Sequence, residues 1–446
     1  MTKEHSMTQR RPVQPDRRQF LGALGVAGAA GVFTFPQSAA RAQSPNERVR
    51  VAAIGTTNRA GANIRDAAGA GAEIVALADV DESFLGKAKE TYTDARTYRD
   101  FRVLLEKEEG KIDAVIVATP DHTHAPAAAM AMRMKKHCYC EKPLTHTVKE
   151  ARTLAELAKA NDLVTQMGTQ IHALDNYRRV VELVQSGAIG DIKEVHVWVP
   201  VDYSGGKFVA GEQPESLDWD LWLGPTAERP YSPNIHPFNW RRFWAFGSGG
   251  LGDFGCHYMD LVHWALDLRH PTRVEATGSP VDAVSCPSWV IAKYQYPARG
   301  KMPPVELTWY DGGKQPARLA ELRGADGKPV NAKSGQLFVG SEGMILSNYT
   351  SHSLLPVEKF ADFKRPPQTI PSSVGHHKEW LEAIQGRGAT TCNFDYSGAL
   401  TEAVLLGTVA YRSGVALDWD AESLTVKNSS EAQALIHKEY RKGWSL

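Results

Sequence analysis

Val49-Arg50-Val51-Ala52-Ala53-Ile54-Gly55-Thr56-Thr57-Asn58-Arg59-Ala60-Gly61 is the stretch that decides the fold. A short β-rich run enters a glycine-bearing turn, and a helical segment to about Ala70 follows. That is the order of a strand, a phosphate-binding turn and a helix whose N-terminus favours negative charge. The same alternation continues outward. Ile74–Ala78 reads as a second strand ending at Asp79, followed by helices through Ala88 and near Phe101–Lys107. Ala114–Ala118 is a strand running into Thr119-Pro120-Asp121-His122-Thr123-His124, and a helix is expected from Ala125 to Lys135, with Pro126 in its first turn. Cys138–Cys140, the helix Val148–Ala160 and Leu163-Val164-Thr165 complete the pattern. Continuous apolar strands spaced by helices imply a parallel sheet covered on both faces. The fold class is therefore α/β, with a dinucleotide-binding Rossmann domain over residues 43–167.

Beyond Gly168 the texture changes. A helix near Asn176–Gln185 stops at Ser186-Gly187, and Glu194–Val199 alternates as a one-sided strand should. Tyr203 to Phe246 is rich in Pro, Trp and Asn and reads as loop. Strands recur at Val274–Ala276, Val290–Tyr296, Val305–Tyr310, Gln336–Val339 and Met344–Leu346, with closing helices over His377–Gln385 and Ser397–Arg412. Residues 168–446 are expected to form an α+β domain with a large, mostly antiparallel open sheet, the substrate and oligomerisation domain of a homo-oligomer.

Composition sets limits. The 446 residues carry 51 Lys+Arg against 51 Asp+Glu, so nothing electrostatic argues for nucleic acid. Asp16-Arg17-Arg18-Gln19-Phe20-Leu21 is a twin-arginine signature, followed by a Gly/Ala-rich apolar stretch from Gly22 to Phe35 and a small-x-small site at Ala40-Arg41-Ala42. Residues 1–42 are read as a signal peptide, too short and glycine-rich to span a membrane, and the mature chain as periplasmic or otherwise exported. The five cysteines have no zinc-finger spacing. They read as small buried residues, with Cys286–Cys392 the least implausible bridge.

Three segments carry chemistry. The first turn fits G-x-G-x-x-G/A only at Gly55 and Ala60, because Thr57 stands where a glycine lets the pyrophosphate approach. Asp79, ending the second strand, is placed to take both ribose hydroxyls of an adenosine, which favours NAD over NADP. Glu141-Lys142-Pro143 puts an ammonium at a strand's carboxyl end, and Gly252-Asp253-Phe254-Gly255-Cys256-His257 puts a carboxylate and an imidazole at i and i+4 on one helix face. Histidine titrates near neutrality, so Lys142, Asp253 and His257 supply the parts for taking a proton from a sugar hydroxyl. A zinc reading, from Asp253 and His257 with His122 or His124, lacks a recognised spacing, and no metal site is expected.

These motifs, in this order, resemble the Gfo/Idh/MocA family over nearly the whole mature chain. The resemblance implies a Rossmann domain followed by an α/β domain with an open sheet, usually oligomeric. It implies NAD(P) along Gly55, Thr57, Asn58, Arg59 and Ala60, with Asp79, Thr119, Pro120, His122, His124, Glu141 and Lys142 also at the cofactor. It makes Lys142, Asp253 and His257 the catalytic trio. The substrate would meet Gln170, Tyr203, Trp240 and Arg241. Because exported protein has no free nicotinamide pool, the cofactor is expected to stay bound and the reaction to be redox-neutral. Sugar or polyol oxidation and reduction is one form of that, and glycoside cleavage through transient oxidation at C3 is another. A sugar-binding protein without catalysis is the third reading.

Overall fold

The computed structural model describes residues 48–324 and 327–446. The twin-arginine stretch and the cleavage site lie outside them. Six parallel strands form the first sheet: β1 (Arg50–Ile54), β2 (Glu73–Ala78), β3 (Arg96–Tyr98), β4 (Ala114–Val117), β5 (His137–Cys140) and β6 (Thr165–Met167). Helices α1 (Arg59–Gly69), α2 (Glu82–Thr91), α3 (Phe101–Glu108), α4 (Asp121–Arg133) and α5 (Val148–Ala160) connect them. The strand order is β3-β2-β1-β4-β5-β6. This is the doubly wound order whose switch point, between β1 and β4, opens a crevice at the strands' carboxyl ends. Strands β1, β2, β4 and β5 are almost wholly buried on both faces, as the continuous hydrophobic runs require, whereas the edge strand β3 is not.

Helix α4 starts four residues earlier than its apolar pattern suggests, so Asp121–His124 form its first turn and Pro126 lies inside it. A proline there removes the N–H that would bond the carbonyl of His122. Lys438 Nζ, 3.2 Å from that oxygen, takes the place of the missing donor.

The chain continues through α6 (Asp175–Gln185), β7 (Ile192–Trp198), α7 (Trp219–Leu223), α8 (Gly249–Ala265), β8 (Arg273–Gly278), β9 (Val290–Tyr296), β10 (Val305–Tyr310), β11 (Gly335–Gly340), β12 (Met344–Ser347) and β13 (His352–Leu355). It closes with α9 (His376–Ile384), α10 (Phe394–Ser413), β14 (Leu417–Asp420), β15 (Thr425–Val426) and α11 (Ser430–Ala434). The second sheet has nine strands in the order β13-β12-β11-β7-β10-β9-β8-β14-β15, antiparallel except for the β7–β10 pair. Helices α8 and α10 cover one face, and α10 also packs on α5, joining the two sheets through one core. On the other face Trp198 and Leu337 are covered by Leu319 and Leu322, while Glu275, Lys293 and Glu306 line the rest. Among the described residues no helix is long and apolar enough to cross a membrane. All five cysteines are free and buried. The Cys286–Cys392 bridge is therefore corrected: Cys286 packs against Gly249 at the start of α8, whereas the carbonyl of Cys392 accepts from Met167 at the end of β6.

Candidate active site

A crevice of about 410 Å³ crosses the carboxyl ends of the first sheet. Phe84, Arg99 and Phe101 line it on the β2–β3 side, Gly55 to Ala60 at the centre, and Lys142, Gln170 and His257 on the β5–β6 side. Gly55 has φ +89°, and a Cβ there would lie 2.5 Å from the Ala118 carbonyl oxygen, so only glycine lets β1 turn this tightly against β4. Thr57, the departure from the glycine pattern, lines the crevice, and the left-handed residue is its neighbour Asn58, at φ +50°.

Asp79 is tied to the turn. Its Oδ2 accepts from Thr56 N at 2.9 Å and Thr56 Oγ1 at 2.8 Å, and its Oδ1 from Asp81 N at 3.0 Å. A carboxylate offers about four acceptor positions, and these donors occupy three of them. Burial pushes the Asp79 pKa up against the hydrogen bonds from Asp81 and Thr56.

Thr119, Pro120 and His124 line the crevice, together with Asp121 and Thr123. The His124 ring nitrogens lie 2.8 Å from the carbonyls of Pro143 and Thr119, stapling the end of β4 to the turn after Lys142. His122 is a correction. Its ring is buried away from the crevice, with Nε2 2.9 Å from the Trp222 carbonyl and an edge contact to Phe246 at 5.1 Å. Helical residues two apart point to opposite sides, so His122 and His124 cannot both face the cofactor.

Glu141 is held by three side chains. Arg59 Nε, Asn63 Nδ2 and Gln170 Nε2 all reach its Oε1, at 3.1, 2.9 and 2.8 Å. A Cβ on Gly168 would sit 2.4 Å from that same oxygen, so the strand following Glu141's own must pass it as bare backbone. Gln170 thus positions Glu141 and lines the crevice at once.

Lys142 and Asp253, from separate segments, meet in the site. Lys142 Nζ lies 2.7 Å from Asp253 Oδ1 and 2.7 Å from its backbone carbonyl. Tyr203 donates to Asp253 Oδ2 at 3.0 Å, and Arg241 Nε stands 3.5 Å from the same atom. Burial works to raise the Asp253 pKa, but the charges of Lys142 and Arg241 pull it down to about 2. Arg241 is sandwiched between Trp240, at 4.2 Å, and Phe238, at 4.5 Å, and all three line the crevice. His257, one turn beyond Asp253, also lines it. Burial and then the Lys142 charge lower its pKa to about 3, and Nδ1 is shielded without a partner. The ring is therefore neutral at pH 7.

The sequence pattern gave Asp121 no role. It opens α4, faces the crevice, and accepts from Ser248 Oγ at 3.1 Å. Burial, then the nearby Asp253 charge, raises its pKa to about 7, closest of these groups to neutrality. The signal was available: Asp121 is three residues before His124, hence on the same helix face. Metal-capable side chains gather elsewhere, at His172, Asp260 and Cys392. There the Asp260 carboxylate lies 2.9 Å from His172 Nδ1, and Trp264 stacks on the ring at 4.1 Å.

The two sheets and the crevice define a dinucleotide-binding oxidoreductase architecture. The model for the NAD-binding Rossmann fold of an oxidoreductase family matches residues 47–169, and the model for that family's C-terminal alpha/beta domain matches residues 180–446. The chain belongs to the Gfo/Idh/MocA oxidoreductase family. A myo-inositol 2-dehydrogenase of Thermotoga maritima is 29% identical over 145 residues, covering 30% of this chain and 43% of that protein. A glycosyl hydrolase family 109 protein of Stenotrophomonas maltophilia is 30% identical over 229 residues, 47% of each. The chain thus spans less than half the length of these curated relatives. In three dimensions it is similar to the WlbA dehydrogenase from Bordetella pertussis in complex with NADH and UDP-GlcNAcA, with TM-score 0.59 and 16% identity over 84% of this chain and 99% of that one. It is also similar to levoglucosan dehydrogenase in complex with NADH and levoglucosan, with TM-score 0.55 and 17% identity over 83% and 99%. Likeness at this identity concerns the fold.

Proposed function

We propose that the chain is an exported NAD-dependent oxidoreductase that acts on a hydroxyl of a sugar, sugar derivative or polyol and keeps its cofactor between half-reactions. The observation that carries this reading is the Lys142–Asp253 ion pair, whose Lys142 lines a crevice with the Gly55–Ala60 turn at its centre. The residues fit a dinucleotide: a glycine-tight turn at the N-terminus of α1, one acceptor position left on Asp79, and the aromatic rings of Phe84 and Phe101 at the far end. When bound there, NAD supplies the acceptor for the substrate's hydride. The chain supplies the rest. The Lys142 ammonium orients the hydroxyl oxygen and favours negative charge as it develops, Asp253 and Tyr203 fix the ammonium, and the hydroxyl proton passes to His257 or Asp121. Arg241, held over the Trp240 ring, offers its guanidinium to the sugar's hydroxyls.

Retention of the cofactor draws support from the Tyr203–Phe246 segment. Glu82 N donates to the Ser216 carbonyl at 2.9 Å and Asp218 N to the Val80 carbonyl at 2.9 Å, pinning this segment beside β2. From there Leu221, Trp222, His236 and Phe238 form part of the crevice wall. Export through the twin-arginine route, which carries folded protein, suits a cofactor loaded beforehand, and the polar outer face bearing Glu275, Lys293 and Glu306 is the surface through which copies would pair. The test is direct. Protein purified from the periplasmic fraction is denatured and its released nucleotide measured by mass spectrometry, and intact protein is mixed with pairs of polyols and ketoses. The proposal predicts stoichiometric NAD and exchange of oxidation state between the sugars. Protein that neither carries nor takes up NAD would refute it.

A second reading is favoured by Tyr203, whose hydroxyl donates to Asp253, and by the family 109 relative. It is NAD-dependent glycoside cleavage through oxidation at C3, elimination and re-reduction. Nitrophenyl glycosides left intact by NAD-loaded protein would exclude it.

A further inference from the structure

Behind the crevice lies a second cavity of about 260 Å³, between the start of α8, the last turn of α10 and the residues after α11. Its wall includes Arg229, Arg412 and Lys438, with His146, Trp244 and Ser248. Lys438 is already neutralised: its Nζ is 3.3 Å from Glu150 Oε1 and 3.0 Å from His146 Nδ1. The two guanidiniums are not. Arg412 lies over the Trp244 ring at 5.0 Å, Arg229 lies over Phe208 at 4.6 Å and Phe246 at 5.3 Å, and neither pairs with a carboxylate among the described residues. Arg229 Nε is shielded and has no hydrogen-bond partner. The one acid on the wall, Glu439, is exposed and stands 3.7 Å from His437 instead. Burial lowers the pKa of both arginines, opposed at Arg412 only by the Cys286 thiol.

Proteins pair the charges they bury, because an uncompensated ion loses its hydration for nothing in return. Two part-buried arginines lining one cavity, with no carboxylate paired to either, therefore call for a counter-ion from outside. We infer that this cavity binds a small oxyanion, a carboxylate or phosphate group, gripped by the planar donor forks of Arg229 and Arg412. The site is separate from the crevice. Ser248 stands between them, on the cavity wall and donating its hydroxyl to Asp121 on the crevice side.

The test is calorimetric titration of the full chain, saturated with NAD so that the turn after β1 cannot take the probe, with inorganic phosphate in one arm and glucuronate in the other. Binding of either anion is expected. Arg412→Gln and, independently, Arg229→Gln should weaken it about tenfold or more, the loss of a charge-assisted fork, whereas Arg412→Lys should weaken it less. Lys142→Met should leave it unchanged. Phosphate alone or glucuronate alone binding would identify which oxyanion the site takes. The inference is overturned if neither anion binds, if both Gln variants bind as the native chain does, or if Lys142→Met abolishes binding and so places the anion in the crevice.

Discussion

Replacing Lys142 by methionine tests the centre of the site, and its cost depends on pH in a way the geometry fixes. Side chains of Lys142 and Asp253 are 13% and 8% exposed, and the pair is 2.7 Å apart, so the carboxylate has little water to fall back on. Its partners hold it from 3.8 down to about 2, which corresponds to about 2 kcal/mol at ~1.4 kcal/mol per pKa unit. Because the folded pKa is the lower one, that stability is present above the unfolded value, about 3.9, and is lost as pH falls through about 2. Lys142→Met leaves Asp253 buried with only Arg241, at 3.5 Å, and the Tyr203 hydroxyl for support. Breaking a buried pair from one side costs about 3–5 kcal/mol, and those two remaining partners place the cost near 3. Denaturant unfolding at pH 7 and pH 3 measures it. The variant is expected to be about 3 kcal/mol less stable at pH 7 and only about half that at pH 3, where its own Asp253 is protonated while the native one, with a pKa of about 2, is still ionised. Lys142→Arg should recover part of the loss at pH 7. A difference below ~0.5 kcal/mol at pH 7, or one that stays the same between the two pH values, would refute the account of this ion pair.

Asp121→Asn should remove a pH dependence of hydride transfer centred near 7. It should also stabilise the protein by about 4 kcal/mol at pH 8, since a raised carboxyl pKa withdraws stability as pH climbs from about 4 through about 7; rate profiles and unfolding curves read the two effects. Gly168→Ala pushes a methyl to 2.4 Å from Glu141 Oε1 and should break the Arg59–Glu141–Gln170 arrangement, weakening NAD binding about tenfold or more by titration of tryptophan fluorescence. Arg241→Ala should raise KM for the sugar more than it lowers kcat, with a loss of about 1–2 kcal/mol in kcat/KM. Replacing Arg17 and Arg18 by lysine should leave the protein in the cytoplasmic fraction, which immunoblotting of cell fractions would show.

Much of this was written in local pattern. Buried parallel strands announce themselves by unbroken apolar runs, so β1, β2, β4 and β5 were readable, as were the i and i+4 carboxylate and imidazole on α8. What failed had specific causes. β3 is three residues at a sheet edge, Arg96–Tyr98, with no buried side chain to mark it. The first turn of α4 is polar on every side because one face meets the crevice and the other meets Trp222 and Phe246, so its helical period begins to show only at Ala125. That one misplaced boundary explains two of the site errors. Read as a loop, the segment let His122 and His124 both face the cofactor and gave Asp121 no direction; read as a helix, it turns His122 away and aligns Asp121 with His124.

The corrected placement of Asp121 changes the proton argument as well. Asp253 is ionised well below neutrality and is spent on Lys142, and His257 is held neutral with a pKa of about 3, so neither changes charge near pH 7. Asp121, raised to about 7, is the group that does. When it is ionised, its charge opposes that of Lys142 and Arg241, and when it takes up a proton the two cations are left to favour a developing alkoxide. A site that gains cationic character as it accepts the proton assists charge separation in one direction and, by reversing the transfer, restores the hydroxyl in the other. An enzyme that oxidises and then reduces with one retained cofactor needs a proton store of that kind, and Asp121→Asn, which cannot store the proton, should slow both half-reactions by the same factor.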